Sequence, residues 1–238
     1  MRQEKLGGLI VRMTGGTDGR GGGNGPAVVL LHGYGAPGDD LVVLSDYLDA
    51  PAGTRFLFPE APLPVPLGYG NARAWWMIDM ARIQADRAAG RIRDMSAEIP
   101  RGLIEARERI TPLLDDLQRK IGADPKHTIL GGFSQGAMLS CDALLRSDRA
   151  YAGLIQLSGT LLAKQEWEPL LLKRKSLPVF QSHGTQDPIL PYVMAERLRD
   201  EFLRTGLKVE WLPFRGGHEI PEPVLRKLGQ FLQLHLRR

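Results

Sequence analysis

Residues 131–139 read GGFSQGAML, and Ser134 stands between Gly132 and Gly136 in the pattern G-x-S-x-G. The apolar run Thr128-Ile129-Leu130 precedes it, and a stretch with helical character follows. That context predicts a strand-to-helix turn so tight that the residues two before and two after the serine crowd each other. Glycine at both places removes the clashing Cβ. The hydroxyl then projects above the sheet, and the positive end of the following helix points at it. Such a serine is placed for nucleophilic attack. The plainer alternative is a serine that caps the helix.

A serine hydroxyl near neutral pH needs a base. For a serine on such a turn the expected chain order is serine, acid, histidine. Three histidines follow Ser134: His183 in QSHGTQD, His218 in RGGHEIP and His235 in the last predicted helix. His218 is the expected base, because a glycine-rich loop after a strand can carry its ring to the carboxyl edge of the sheet, where ligands bind in open α/β folds. The expected acid is Asp187 in HGTQDPILP, between a strand and a helix, where it would orient His218 and stabilise its cation. Its alternative role is to cap that helix. Asp142 and Asp148 fall near the helix after Ser134, and Glu196, Asp200 and Glu201 fall on a later one.

A tetrahedral oxyanion needs two N–H donors. One is expected from the backbone of Gln135, at the start of the helix. The other is expected from the backbone of Tyr34 in His32-Gly33-Tyr34-Gly35, with His32 fixing that loop. The same loop continues as Gly33-Tyr34-Gly35-Ala36-Pro37-Gly38, which also spells the dinucleotide-binding G-x-G-x-x-G, with Glu60 standing in for the ribose-binding acid. Asp39 and Asp40 would repel a pyrophosphate there, Pro37 lacks an N–H, and Glu60 falls beyond the expected strand end.

The elements that must carry these residues are legible as alternating strands and helices. Strands are expected at 9–13, 27–32, 54–58, 127–130, 151–157, 177–181 and 208–213. Helices are expected at 39–48, 101–121 with a break at Pro112, 135–146, 189–204 and 224–236. Residues 14–26 are glycine-rich and read as a flexible loop, and 59–79 as irregular. The alternation predicts an α/β fold in three layers, with a mostly parallel central sheet covered by helices on both faces. Without a repeat or a linker, residues 1–238 are expected to form a single domain.

With 43% hydrophobic residues among 238, a sizeable core is available. No uninterrupted apolar stretch is long enough for a membrane span, and no leader is visible at the N-terminus. One cysteine, Cys141, excludes an internal disulfide and fits a reducing, cytoplasmic setting. The formal charge of +4 is spread along the chain, with no basic block interleaved with aromatics, so nucleic acid is not an expected partner.

Taken together, LHGYG (31–35), GGFSQG (131–136), HGTQDPILP (183–191) and GGHEI (216–220) stand in the order of the phospholipase/carboxylesterase family of α/β-hydrolases, which the chain resembles over most of its length. The resemblance implies hydrolysis of a small carboxylic ester or thioester through an acyl-enzyme, with no cofactor or metal. It carries the triad to Ser134, Asp187 and His218 and the oxyanion hole to Tyr34 and Gln135. Trp75 and Trp76, in RAWWMID, are similar to a family segment and would either line an acyl pocket or anchor a loop. Two extra residues separate that aromatic pair from Asp79, so no role is carried to Asp79. Residues 90–98 read as an insertion near the pocket mouth. Residues 161–172 read as a lid, a pocket wall or an interface, in a monomer or a homodimer. A non-catalytic binding protein of the same fold is the remaining alternative. It would need none of the three triad residues.

Overall fold

The computed structural model describes residues 1–66, 70–90 and 94–236, apart from the side chain of Arg87. In chain order the elements are β1 (Arg2–Leu6), β2 (Leu9–Gly16), β3 (Arg20–Gly22), β4 (Ala27–Leu31), β5 (Arg55–Pro59), β6 (Leu63–Pro64), β7 (Arg73–Ala74), α1 (Met80–Ala88), α2 (Leu103–Lys120), β8 (Thr128–Phe133), α3 (Gln135–Arg146), β9 (Gly153–Leu157), α4 (Lys164–Leu171), β10 (Pro178–Gly184), α5 (Tyr192–Arg204), β11 (Lys208–Phe214) and α6 (Glu222–His235).

The main sheet runs β1-β2-β5-β4-β8-β9-β10-β11, with β3 paired to β2. From β5 to β11 every pairing is parallel, while β1 and β2 join antiparallel at one edge. Successive residues of the central strands face opposite sides. Val29, Leu57, Leu130 and Leu154 pack in one core with α2, α3, α4 and α5. Val28, Phe56, Ile129 and Ile155 pack in the other with α6. This is the three-layer α/β-hydrolase arrangement, and it places the ends of β4, β8, β10 and the start of the loop after β11 along one sheet edge.

Several elements differ from expectation for identifiable reasons. The glycine-rich stretch at 14–26 is ordered: β2 continues to Gly16, and Asp18 accepts the N–H groups of Arg20 and Gly22, both at 2.8 Å, to turn the chain into β3. The helix expected at 39–48 is one short 3-10 segment, Val42–Asp46, opening on two adjacent β-branched valines. Pro112 does not break α2. The hydrogen bond it forfeits would reach the exposed Glu108, on the solvent side, while Ile110, Leu113, Leu114 and Leu117 hold the opposite face in the core. Residues 161–172 contain α4, whose Trp167 and Leu171 are wholly buried, so this stretch is part of the main core.

Candidate active site

Ser134 occupies the turn between β8 and α3 with φ 54° and ψ −116°, a conformation that costs a non-glycine residue energy and persists only where its surroundings enforce it. The enforcement is steric. A Cβ at Gly132 would lie 2.4 Å from the Leu31 carbonyl oxygen and 2.6 Å from the Gly136 carbonyl carbon, and one at Gly136 would lie 2.0 Å from that same oxygen. The two glycines let the elbow press against the end of β4 as well as against itself. Ser134 N–H donates to the Leu157 carbonyl at 2.8 Å, and its side chain makes no capping bond to α3.

His218 follows β11 and donates from Nδ1 to Asp187 Oδ2 at 2.6 Å. Its ring packs 4.8 Å from that of Phe133, the residue before Ser134. The loops bearing Asp187 and His218 are stitched together: Thr185 N–H donates to Phe214 and Gln186 N–H to Gly216. The other Asp187 oxygen, Oδ1, accepts the N–H groups of Ile189 and Leu190 at 2.8 and 2.9 Å. Asp187 therefore closes its own turn with one oxygen and orients His218 with the other, four residues before α5 reaches its cap at Pro191. Burial opposes the charge on Asp187, but hydrogen bonds from His183, His218 and Leu190 and the nearby imidazole of His218 outweigh it. They hold the carboxyl far below the usual carboxylate range.

The loop after β4 is braced on three sides. His32 Nδ1 donates to Gly33 O at 2.8 Å while Nε2 accepts from Ala61 N–H at 3.1 Å, and burial pushes the imidazole's affinity for a second proton down. Gly35 N–H donates to Arg73 O, and Arg73 N–H donates to Ala36 O. Glu60 pairs with Arg12 at 2.8 Å and Arg73 at 3.3 Å. These contacts hold Tyr34 at the cavity wall beside Ser134. They also remove what a dinucleotide would need: the Glu60 carboxylate lies 2.4 Å from where a Cβ of Gly38 would be, and the segment that follows is 3-10 rather than an α-helix. Sequence reasoning did not reveal the Glu60 brace, nor the buried His183 that also reaches Asp187.

Ser134, His218 and Tyr34 open on one cavity of about 810 Å³. Its wall is largely apolar and includes Trp76, Met77, Ile78, Met80, Met95, Ile99, Met138 and Leu190. Trp76 lines it. Trp75 lies behind, buried, donating from Nε1 to His32 O at 2.9 Å, and is a loop anchor rather than a pocket wall. Asp79 lines the cavity and caps α1 by accepting Arg82 N–H at 2.9 Å. Of the 90–98 segment, residues 91–93 lie outside the described residues. Met95 and Glu98 reach the cavity, and Ser96 and Glu98 accept the N–H groups of Lys164 and Ala163 at the start of α4. Among the described residues no cluster of histidine, cysteine or acidic side chains could hold a metal ion, and no helix is long and apolar enough to cross a membrane.

Residues 22–236 match the family described as Phospholipase/Carboxylesterase. The chain is 33% identical over 226 residues to acyl-protein thioesterase 1 of Kluyveromyces lactis, covering 88% of this chain and 92% of that protein. It is 27% identical over 220 residues to the protein of the same name from Candida albicans, covering 87% and 90%. Among solved structures, esterase PE8 superposes with a TM-score of 0.79 at 29% identity over 96% of this chain and 99% of that one. Arabidopsis thaliana SOBER1 shares the fold, with a TM-score of 0.70 at 22% identity over 89% and 99%. The chain belongs to the phospholipase/carboxylesterase family of α/β-hydrolases, and it is an ester or thioester hydrolase.

Proposed function

We propose that this hydrolase works through an acyl-enzyme on Ser134, with His218 as base and Asp187 as the group that orients it. The observation that carries the reading is the 2.6 Å contact from His218 Nδ1 to a saturated Asp187 carboxylate, on the same cavity that Ser134 enters from its strained turn. With Nδ1–H committed to Asp187, Nε2 of His218 is left to take the serine proton as the hydroxyl attacks the acyl carbon. The oxyanion is received by the backbone N–H groups of Tyr34 and Gln135. The first N–H groups of a helix have no partner one turn earlier, and α3 begins at Gln135. His218 then gives its proton to the leaving alcohol or thiol and activates water for deacylation.

The substrate is a small carboxylic ester or thioester whose acyl part lies along Trp76, Met77, Met95 and Met138. An apolar wall with flexible thioether side chains suits an alkyl chain. The chain acts as one domain, monomeric or homodimeric, in the cytoplasm and without nucleic acid. The single cysteine, Cys141, is buried, and burial raises its thiol well above the usual range, which suits a reducing compartment.

Intact-protein mass spectrometry after a fluorophosphonate probe tests the assignment. One adduct on the wild type, absent from Ser134→Ala, is expected. No adduct on folded wild type would overturn it in favour of a binding protein of the same fold.

A further inference from the structure

His183 stands at the end of β10, next to Gly184, and is wholly buried. The triad proposed above makes no use of it. Its Nε2 lies 2.8 Å from the Leu190 carbonyl oxygen and 3.2 Å from Asp187 Oδ2. Both are acceptors, so Nε2 carries a hydrogen and shares it between them. Its Nδ1 is buried and meets no hydrogen-bond partner among the described residues. Leaving a ring nitrogen buried and unpaired costs stability, and an apolar side chain would fill the same space without that cost. Holding a core together therefore does not account for a histidine here.

What the ring does reach is the carboxylate. Oδ1 of Asp187 is taken by Ile189 and Leu190, and Oδ2 sits between two imidazoles, with His218 on one side and His183 on the other. Leu190 closes a small cycle: its N–H donates to Asp187 and its carbonyl accepts from His183, while its side chain lines the cavity. We infer that His183 is a positioning residue for the reaction, whose Nε2–H keeps Asp187 from rotating and draws electron density from the oxygen that orients His218. This rests on the Ser134–Asp187–His218 reading.

The sign follows from the hydrogen bond. A donor removed from Oδ2 leaves that oxygen richer in charge, and the His218 imidazolium beside it is stabilised more strongly. A more acidic medium is then no longer needed to protonate the base, and the acid limb of the pH–rate profile moves to higher pH. The charged and titratable groups around the pair stay the same in each variant. Tyr192 of α5 is 6.4 Å from His183, ring to ring. Tyr192 packs against Trp211 of β11 with its ring tilted, and Arg199 of α5 covers Trp211. Glu219 holds Gly217 N–H next to His218. Asp40, Asp79, Glu98, Arg82 and Arg101 line the cavity that His218 faces.

The test is kcat/KM against pH on a p-nitrophenyl ester, with thermal midpoints taken alongside, for wild type, His183→Leu, His183→Gln, Ser134→Ala and His218→Ala. His183→Leu is expected to lose about tenfold in kcat/KM, with its acid limb raised by about half a pH unit. His183→Gln, whose amide nitrogen takes the place of Nε2, is expected to return the limb to the wild-type position and to restore most of the rate. If His183→Leu does not fold, His183→Asn, whose amide reaches only as far as Nδ1, replaces it with the same expectation. A limb that coincides with the wild-type limb, whatever happens to the rate or the thermal midpoint, overturns the inference, because a residue that only fills space lowers the profile without moving it. Activity retained by Ser134→Ala or His218→Ala sinks the triad reading, and this inference with it. Inactive controls beside an unmoved limb sink the inference alone.

Discussion

Gln135 holds Trp75 by the backbone: the side-chain Oε1 accepts Trp75 N–H at 2.9 Å, and Nε2 donates to the next carbonyl, that of Trp76, at 2.8 Å. One residue thus serves two surfaces. Its main-chain N–H is the proposed oxyanion donor, and its side chain fixes the segment that sets Trp76 into the cavity wall. Gln135 is wholly buried, so both bonds are made away from water.

Replacing Gln135 by Ala keeps the main-chain donor and removes the clamp. Trp75 N–H and Trp76 C=O are left buried and unpaired, a loss of about 1–3 kcal/mol in stability. Trp76 then wanders, so KM is expected to rise more for a long p-nitrophenyl ester than for the acetate, while kcat on the acetate changes little. Urea unfolding and an ester series from acetate to palmitate check both halves. A uniform fall in kcat with unchanged KM would show that the side chain acts on the chemistry rather than on the wall.

Gly184 is the next point of leverage. A Cβ there would lie 2.1 Å from the Gly217 carbonyl oxygen, backbone that cannot swing aside. Gly184→Ala is therefore expected to push the loop bearing Asp187 away from the loop bearing His218. A displacement of about 1 Å at a catalytic group can cost about 10²-fold in rate, and that is the expected loss in kcat. Ser134 remains on its own turn between β8 and α3, pressed against the end of β4. The signature to look for is a slow enzyme with Ser134 still in place, seen by crystallography, and with fluorophosphonate labelling slowed in parallel. A wild-type rate in Gly184→Ala would mean the loops are not as tightly stitched as these distances imply.

Glycines made much of this site legible in the sequence. The pair around Ser134 announced the elbow, and His218 and Asp187 stood where chain order required them. The strands were visible too, because those buried on both faces read as unbroken apolar runs such as 27–31. What stayed hidden depends on partners far away in the chain. Nothing local to Glu60 announces Arg12 and Arg73, and nothing local to Gln135 announces Trp75. α1 carries no such signal, because Met80–Ala88 has little apolar periodicity, yet Met80 and Ile83 from it reach the cavity. Pro112 reads as a break in the sequence because its exposure on α2 cannot be judged before the helix has been packed. Asp18, which orders the glycine-rich turn with two hydrogen bonds, is one polar residue in a stretch whose composition otherwise suggests disorder.

The last prediction concerns acid. Burial of Asp187 favours the protonated form, but the bonds from His183, His218 and Leu190 and the His218 charge outweigh it, and the native carboxyl stays ionised far below the usual carboxylate range. An unfolded aspartate titrates at about 3.9. A carboxyl depressed on folding contributes stability that is fully present above that unfolded value. The contribution is lost progressively as pH falls from there toward the native one. Asp187→Asn removes this contribution at every pH. Its thermal midpoint is therefore expected to lie below the wild-type midpoint at neutral pH, with the gap constant down to about pH 5 and closing below about pH 4. Calorimetry of both proteins across that range checks it. A gap that stays constant through the acid range would mean that Asp187 gains nothing from its ionised form on folding, and that its four donors only shape the loop.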